Sequence, residues 1–166
     1  TFLPSDGEVD PNAALPQLRS RGWEPHLPVV GEDSSMTFAP WVPDDTLAPN
    51  RYGIPEPSDH RAPRRTAADL DVILVPCVGL DTRGNRLGFG LGFYDRALGT
   101  VPSARRPLLV GVAFELSIVD ELVPDPWDVP VDVVVTERRV VRTGAERPVT
   151  GSDQDGPEPS PRPARP

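Results

Sequence analysis

The chain has 166 residues, enough for one domain with a real core, and a formal net charge of −8. That charge argues against nucleic acid as a partner, because binding a phosphate backbone needs a basic face. No apolar run reaches membrane-spanning length and no signal-peptide pattern opens the chain, while the single cysteine, Cys77, excludes an internal disulfide framework and agrees with a reducing, cytoplasmic setting.

Thr1–Pro4 reads as the end of a strand whose beginning is absent. Asp10 is placed to cap a helix, Pro11 suits its first position, Leu15 and Leu18 share one face, and Gly22 stops it, with Pro16 lying inside. His26–Val30 is a strand, and Met36–Val42 another, an edge strand because of Pro40. Pro43–Arg65, rich in Pro, Asp, Asn and Gly, reads as a long ordered loop of the kind that carries function.

Leu70–Val75 is a continuous apolar run and therefore a buried strand. Gly92–Leu98 is a helix stopped by Gly99, Leu108–Phe114 a second buried strand, Glu115–Leu122 a helix, and Val131–Val135 a third strand. Strands alternating with helices predict an α/β fold: three layers, with a mostly parallel sheet flanked by helices on both faces. This domain covers residues 1–143. The Pro-, Gly- and Ser-rich stretch 144–166 has too few aliphatic residues to order itself and is expected to be a disordered tail.

The richest stretch is Gly84–Arg96, in which Gly88, Gly90 and Gly92 fall at every second position before Phe93, Tyr94, Asp95 and Arg96. Two readings compete for it. Missing Cβ atoms let phosphate oxygens approach backbone N–H groups, with Arg86 as a forked partner; or the glycines merely tighten a strand-to-helix turn. All 17 basic residues are arginine, which excludes a phosphate loop built on a lysine. Asp95 is either a magnesium ligand or a first-turn acid favoured by the helix dipole, and Asp128 either joins it at one metal or forms a turn. Tyr52, Phe93 and Tyr94 supply aromatic faces for a flat heterocycle or for the core. His26 and His60 lack metal-ligand spacing, so zinc is not expected.

These segments together resemble the 5-formyltetrahydrofolate cyclo-ligase (methenyltetrahydrofolate synthetase) family. The resemblance rests on Phe2–Glu8, Leu27–Val30, Tyr52–Pro57, Asp71–Pro76, Gly84–Arg96 and Asp128–Glu137, in the family's order. It implies conversion of 5-formyltetrahydrofolate to 5,10-methenyltetrahydrofolate, with ATP as co-substrate and Mg2+ as cofactor. ATP would lie along Arg86, Leu87, Gly88, Phe89, Gly90, Leu91, Gly92, Phe93 and Tyr94. The folate would lie near Glu8, Tyr52, Phe93 and Tyr94, with Glu8 receiving pterin N–H groups. Asp95 and Asp128 would hold magnesium, and Arg86 and Tyr94 would be catalytic. The expected working unit is a monomer or weak homodimer.

Three positions depart from the family pattern. Phe89 stands where arginine is usual, Leu91 at the next variable position, and Phe93 in place of the first of two tyrosines. The family's N-terminal helices are also expected ahead of Thr1 and are missing from this sequence. The alternative is therefore a non-catalytic nucleotide- or folate-binding module of the same shape. A dinucleotide-binding domain is disfavoured, because the glycine spacing differs and the acid precedes the loop at Asp81 instead of following it.

Overall fold

The structure, a computed structural model, describes residues 1–5, 7–59 and 63–144. The expected tail lies outside the described residues except for Gly144, as does His60. No described helix is long and apolar enough to cross a membrane.

The centre is a four-stranded sheet. Its strands are β5 (Val72–Pro76), β8 (Leu108–Val112), β9 (Val133–Val135) and β10 (Val140–Arg142), in the spatial order β10-β9-β8-β5. β5, β8 and β9 run parallel, and β10 returns antiparallel along the edge. The apolar runs that predict these strands bury Ile73, Val75, Leu109 and Val134, as a sheet covered on both sides requires.

Three smaller antiparallel pairs surround it. β1 (His26–Val30) pairs with β2 (Met36–Pro40), β3 (Leu47–Pro49) with β4 (Pro55–Pro57), and β6 (Gly79–Leu80) with β7 (Arg86–Leu87). Among the described residues the α-helices are only α1 (Leu15–Ser20) and α2 (Phe93–Gly99). The α/β class therefore stands with a largely parallel central sheet, but three full layers are not built. Short 3-10 turns and hairpins occupy the places where flanking helices are expected.

Several local differences have physical causes. Asp10 does cap a helical start, Pro11–Ala14, but as a 3-10 turn; Pro16 then falls at the beginning of α1, where its missing N–H costs nothing. Thr1–Pro4 carries no strand. Phe2 is buried, and its carbonyl accepts from the Asn12 side chain rather than from a ladder.

The stretch Pro43–Arg65 is not a plain loop, because the Asn50 side chain accepts from the N–H groups of Tyr52 and Ile54 and closes the β3–β4 hairpin. The helix expected over Glu115–Leu122 is one 3-10 turn, Glu115–Ser117. Beyond it, Val119 N donates to Leu80 O at 2.8 Å and Leu122 N donates to Asp81 Oδ2 at 3.1 Å, so both amides are taken by the β6 side.

Asp81 anchors this region and is fully buried. Its carboxylate accepts from Arg83 N, Asn85 N, the Asn85 amide and Leu122 N, at 2.9 to 3.1 Å. Gly84 completes the β6–β7 turn with φ +94°, and a Cβ there would lie 2.3 Å from Val131 O. No other residue fits both constraints.

Burial alone would raise the Asp81 pKa, but the hydrogen bonds, led by the Asn85 side chain, outweigh it and hold the carboxyl below its ordinary value. A depressed folded-state pKa gives stability that is present above the unfolded value of about 3.9 and is lost as pH falls through the folded one. Asp81→Asn is therefore expected to lower unfolding free energy by at least about 2 kcal/mol at pH 7. In urea melts across pH, the gap to the parent should hold down to about pH 4 and narrow only below it. A gap already closing at pH 6 would contradict this assignment.

Candidate active site

The glycine loop Gly88–Gly92 bridges β7 and α2, and both of its shores are pinned. At one shore, Arg86 Nη2 lies 2.5 Å from Asp95 Oδ1, which belongs to α2 on the other. Arg86 Nη1 also donates to the carbonyl of Val129. Asp95 Oδ1 in turn accepts from Val129 N at 3.0 Å. The two side chains are only 7% and 20% exposed.

Arg106 fixes the same segment from behind, donating to Pro130 O and to Asp132 Oδ1, both at 2.7 Å. Val129 follows Asp128 directly, so this clamp brings both predicted metal-binding aspartates to one wall.

That wall belongs to a hollow of about 1160 Å³. Every residue from Arg86 to Tyr94 lines it, together with Glu8, Asp95 and Asp128. The sequence expectation thus assembles at one place, with one exception. Tyr52 is not a wall residue; it meets Phe93 edge-on, with ring centroids 5.3 Å apart, and so reaches the hollow only through that ring. Phe89 and Leu91 do not plug the space, being 65% and 46% exposed. A second hollow of about 230 Å³ shares Glu8 and Phe89 and opens beside Cys77, Ala113 and Phe114. Those last three follow the carboxyl ends of β5 and β8, the side on which open α/β sheets carry ligands.

The loop itself has donors to spare. Among the described residues, no backbone N–H from Gly88 to Gly92 donates to a protein acceptor. Gly90 and Gly92 hold φ +81° and +63°, which lets the backbone turn without strain.

Arg86 holds the ends of the loop: one terminal nitrogen meets Asp95 and the other the Val129 carbonyl.

Two buried oxygens complete the site. Glu8 Oε2 accepts from Ser5 N at 2.7 Å, while its Oε1 is buried without a partner. The Tyr94 hydroxyl is likewise buried and unpartnered. Burial pushes the Tyr94 phenol up, with Cys77 and Glu8 adding to the rise. It stays an O–H at neutral pH and serves as a donor rather than a base. Burial also pushes the Cys77 thiol up to about 12, so it is no nucleophile.

The donor set suits magnesium only in part. No cluster of three or more His, Cys, Asp or Glu side chains forms among the described residues. Asp95 and Asp128 each commit only one oxygen to the hydrogen bonds described for them, Oδ1 to Arg86 and Val129 in Asp95 and Oδ2 to Asp125 N in Asp128. One or two carboxylates completed by substrate phosphates is the usual magnesium arrangement, and these two residues fit it.

Residues 1–137 match the model of the 5-formyltetrahydrofolate cyclo-ligase family. The chain belongs to that family. It is 36% identical over 141 residues to the 5-formyltetrahydrofolate cyclo-ligase of Escherichia coli K12, covering 84% of this chain and 77% of the relative. With the enzyme of that name from Haemophilus influenzae it shares 33% identity over 137 residues, 81% of this chain and 73% of the relative. The solved structure of Aquifex aeolicus 5,10-methenyltetrahydrofolate synthetase superposes with a TM-score of 0.70 at 36% identity, covering 90% of this chain and 73% of that one. The glycine loop, Asp95, Asp128 and Glu8 all fall within the matched residues.

Sequence reasoning assigned no role to Trp127, Glu56 or Arg96, all of which line the hollow. Trp127 stands one residue before Asp128, and Arg96 one after Asp95. Their adjacency to the predicted ligands was the available signal.

A double-mutant cycle on Arg86→Gln and Asp95→Asn should return a coupling of about 3 kcal/mol, as for a mostly buried pair whose separation leaves a charge uncompensated. Additive losses in chemical denaturation would show that the clamp does not act as a unit.

Proposed function

We propose that this chain converts 5-formyltetrahydrofolate to 5,10-methenyltetrahydrofolate, with ATP cleaved to ADP and phosphate. The observation that carries the reading is the family match over residues 1–137. The hollow supports it: the segments behind the resemblance line one space large enough for two substrates.

The proposed course follows the chain's own groups. ATP lies along Arg86–Tyr94, its phosphates facing the unbonded N–H groups of Gly88–Gly92. Asp95 and Asp128 hold magnesium, which neutralises charge on the phosphates when bound. The folate lies against Phe93 and Tyr94, with Tyr52 edge-on to Phe93. The unpartnered Oε1 of Glu8 accepts pterin N–H groups, which ends the cost of leaving a buried acceptor empty.

The formyl oxygen attacks the γ-phosphorus and ADP departs with the bond's electron pair. N10 then attacks the activated carbon and loses its proton, and phosphate leaves as the ring closes. Catalysis of this kind rests on positioning and charge neutralisation. Tyr94 contributes its hydroxyl as a donor toward oxygen that gains charge, and Arg86 keeps Asp95 in place. The binding-only reading is not favoured, because the chain belongs to the cyclo-ligase family and Phe89 and Leu91 leave the hollow open.

Mixing the purified chain with 5-formyltetrahydrofolate, ATP and magnesium should develop the absorbance of the methenyl product, and a chelator should abolish it. Glu8→Gln should raise KM for the folate about tenfold to a hundredfold, leaving KM for ATP within about twofold. Turnover that persists without ATP, or a Glu8→Gln effect confined to ATP, would count against the assignment.

A further inference from the structure

An acidic site must still grip a polyanion. Among the described residues, the hollow is lined by Glu8, Glu56, Asp95, Asp125 and Asp128 but by only two cations, Arg86 and Arg96. Arg86 is already committed at both ends: one terminal nitrogen meets Asp95 and the other serves the Val129 carbonyl. Arg96 is in a different position. Among the described residues it makes no side-chain hydrogen bond and no ion pair.

Its geometry is nonetheless defined. The guanidinium carbon stands 5.2 Å from the centre of the Phe93 ring, which it covers. Its Nη1 lies 3.1 Å from the point where a Cβ on Gly92 would sit. The absence of a side chain at Gly92 is what lets the guanidinium rest against the end of the glycine loop. A ring face and a bare backbone thus hold a planar cation beside five open N–H groups, leaving its donors for a ligand.

We propose that Arg96 is a phosphate-binding residue for the ATP of this reaction, supplying a forked positive contact in addition to the partly committed Arg86. The inference rests on the reading of the hollow as an ATP site and adds a residue to it. The guanidinium recognises an oxyanion by paired N–H donors, a geometry that suits phosphate and carboxylate alike. Contact with the loop's final glycine, whose neighbouring amides are the anion cradle, favours phosphate over the carboxylate of the folate's glutamyl end.

The test uses the full chain and its Arg96→Gln and Arg96→Lys variants. Steady-state rates give KM for ATP and for 5-formyltetrahydrofolate separately, and calorimetry gives direct ATP binding without turnover. Arg96→Gln should raise KM and Kd for ATP about tenfold to a hundredfold, with KM for the folate within about twofold. Arg96→Lys should recover part of the loss, because a point charge replaces only part of a fork. Thermal melts should stay within a few degrees of the parent, since the side chain is exposed.

An effect on folate KM alone would reassign Arg96 to the substrate carboxylate and overturn the proposal, as would unchanged values for both ligands. If the parent turns over but Arg96→Gln matches it, only this inference fails. If the parent shows no ATP binding by calorimetry, the reading of the hollow fails with it.

Discussion

The structure depends on a closed ring of three residues. Arg86 donates to the carbonyl of Val129 and to Asp95, and Asp95 accepts the N–H of Val129. One charged pair thereby satisfies both backbone groups of a residue 43 positions along the chain from Arg86. In a mostly dry setting such a pair adds little net stability over apolar packing, and its value lies in geometry. It fixes β7, α2 and the approach to β9 against one another. The glycine loop spans two of these three anchors, so its amides can stay without protein partners while its ends do not move. Preorganised donors that need no rearrangement are the most effective kind of electrostatic stabilisation.

A second constraint sits one turn upstream. Asp81 collects four donors in a fully buried place, and two of them are the backbone amides of the turn that launches β7. Its bond to Leu122 N also draws in the segment that leads on to Asp125 and Asp128. The acid that failed as a dinucleotide-binding signal therefore has a structural task, and Gly84 lets the same turn touch Val131. The loop is aimed by Asp81 and clamped by Asp95, with Arg86 between them.

What was legible in the sequence follows the range of the forces involved. Continuous apolar runs gave β5 and β8 to within two residues, because burying both faces leaves few alternatives. The glycine spacing marked the loop, and the aspartates on either side of the clamp were rightly expected to meet at one wall. The β3–β4 hairpin was hidden by its prolines, which are tolerated because the pair is short and has only two strands; the signal that survived was Asn50. The helix expected over Glu115–Leu122 failed because Leu80 and Asp81, far away in sequence, claim its amides. The anchoring of Arg86 was illegible for the same reason: no local pattern reveals that a carbonyl at Val129 will take one of its nitrogens. The flanking layers were overpredicted because the rule that parallel strands need helices says only that they need cover, and hairpins supply it here.

Part of the remaining cost of the fold lies in two oxygens at the hollow. Glu8 Oε1 and the Tyr94 hydroxyl are both buried without a protein partner. Leaving such groups empty costs about 1–3 kcal/mol each. They are also within electrostatic reach of each other, since Glu8 helps to push the Tyr94 phenol up. An acceptor with no donor and a donor with no acceptor stand close enough to feel one another, yet they do not pair. A ligand that presents N–H groups to the first and an oxygen to the second removes both penalties at once. A pterin carrying a formyl oxygen has that complementarity. The two empty groups therefore select for a ligand that brings both a donor and an acceptor to this end of the hollow.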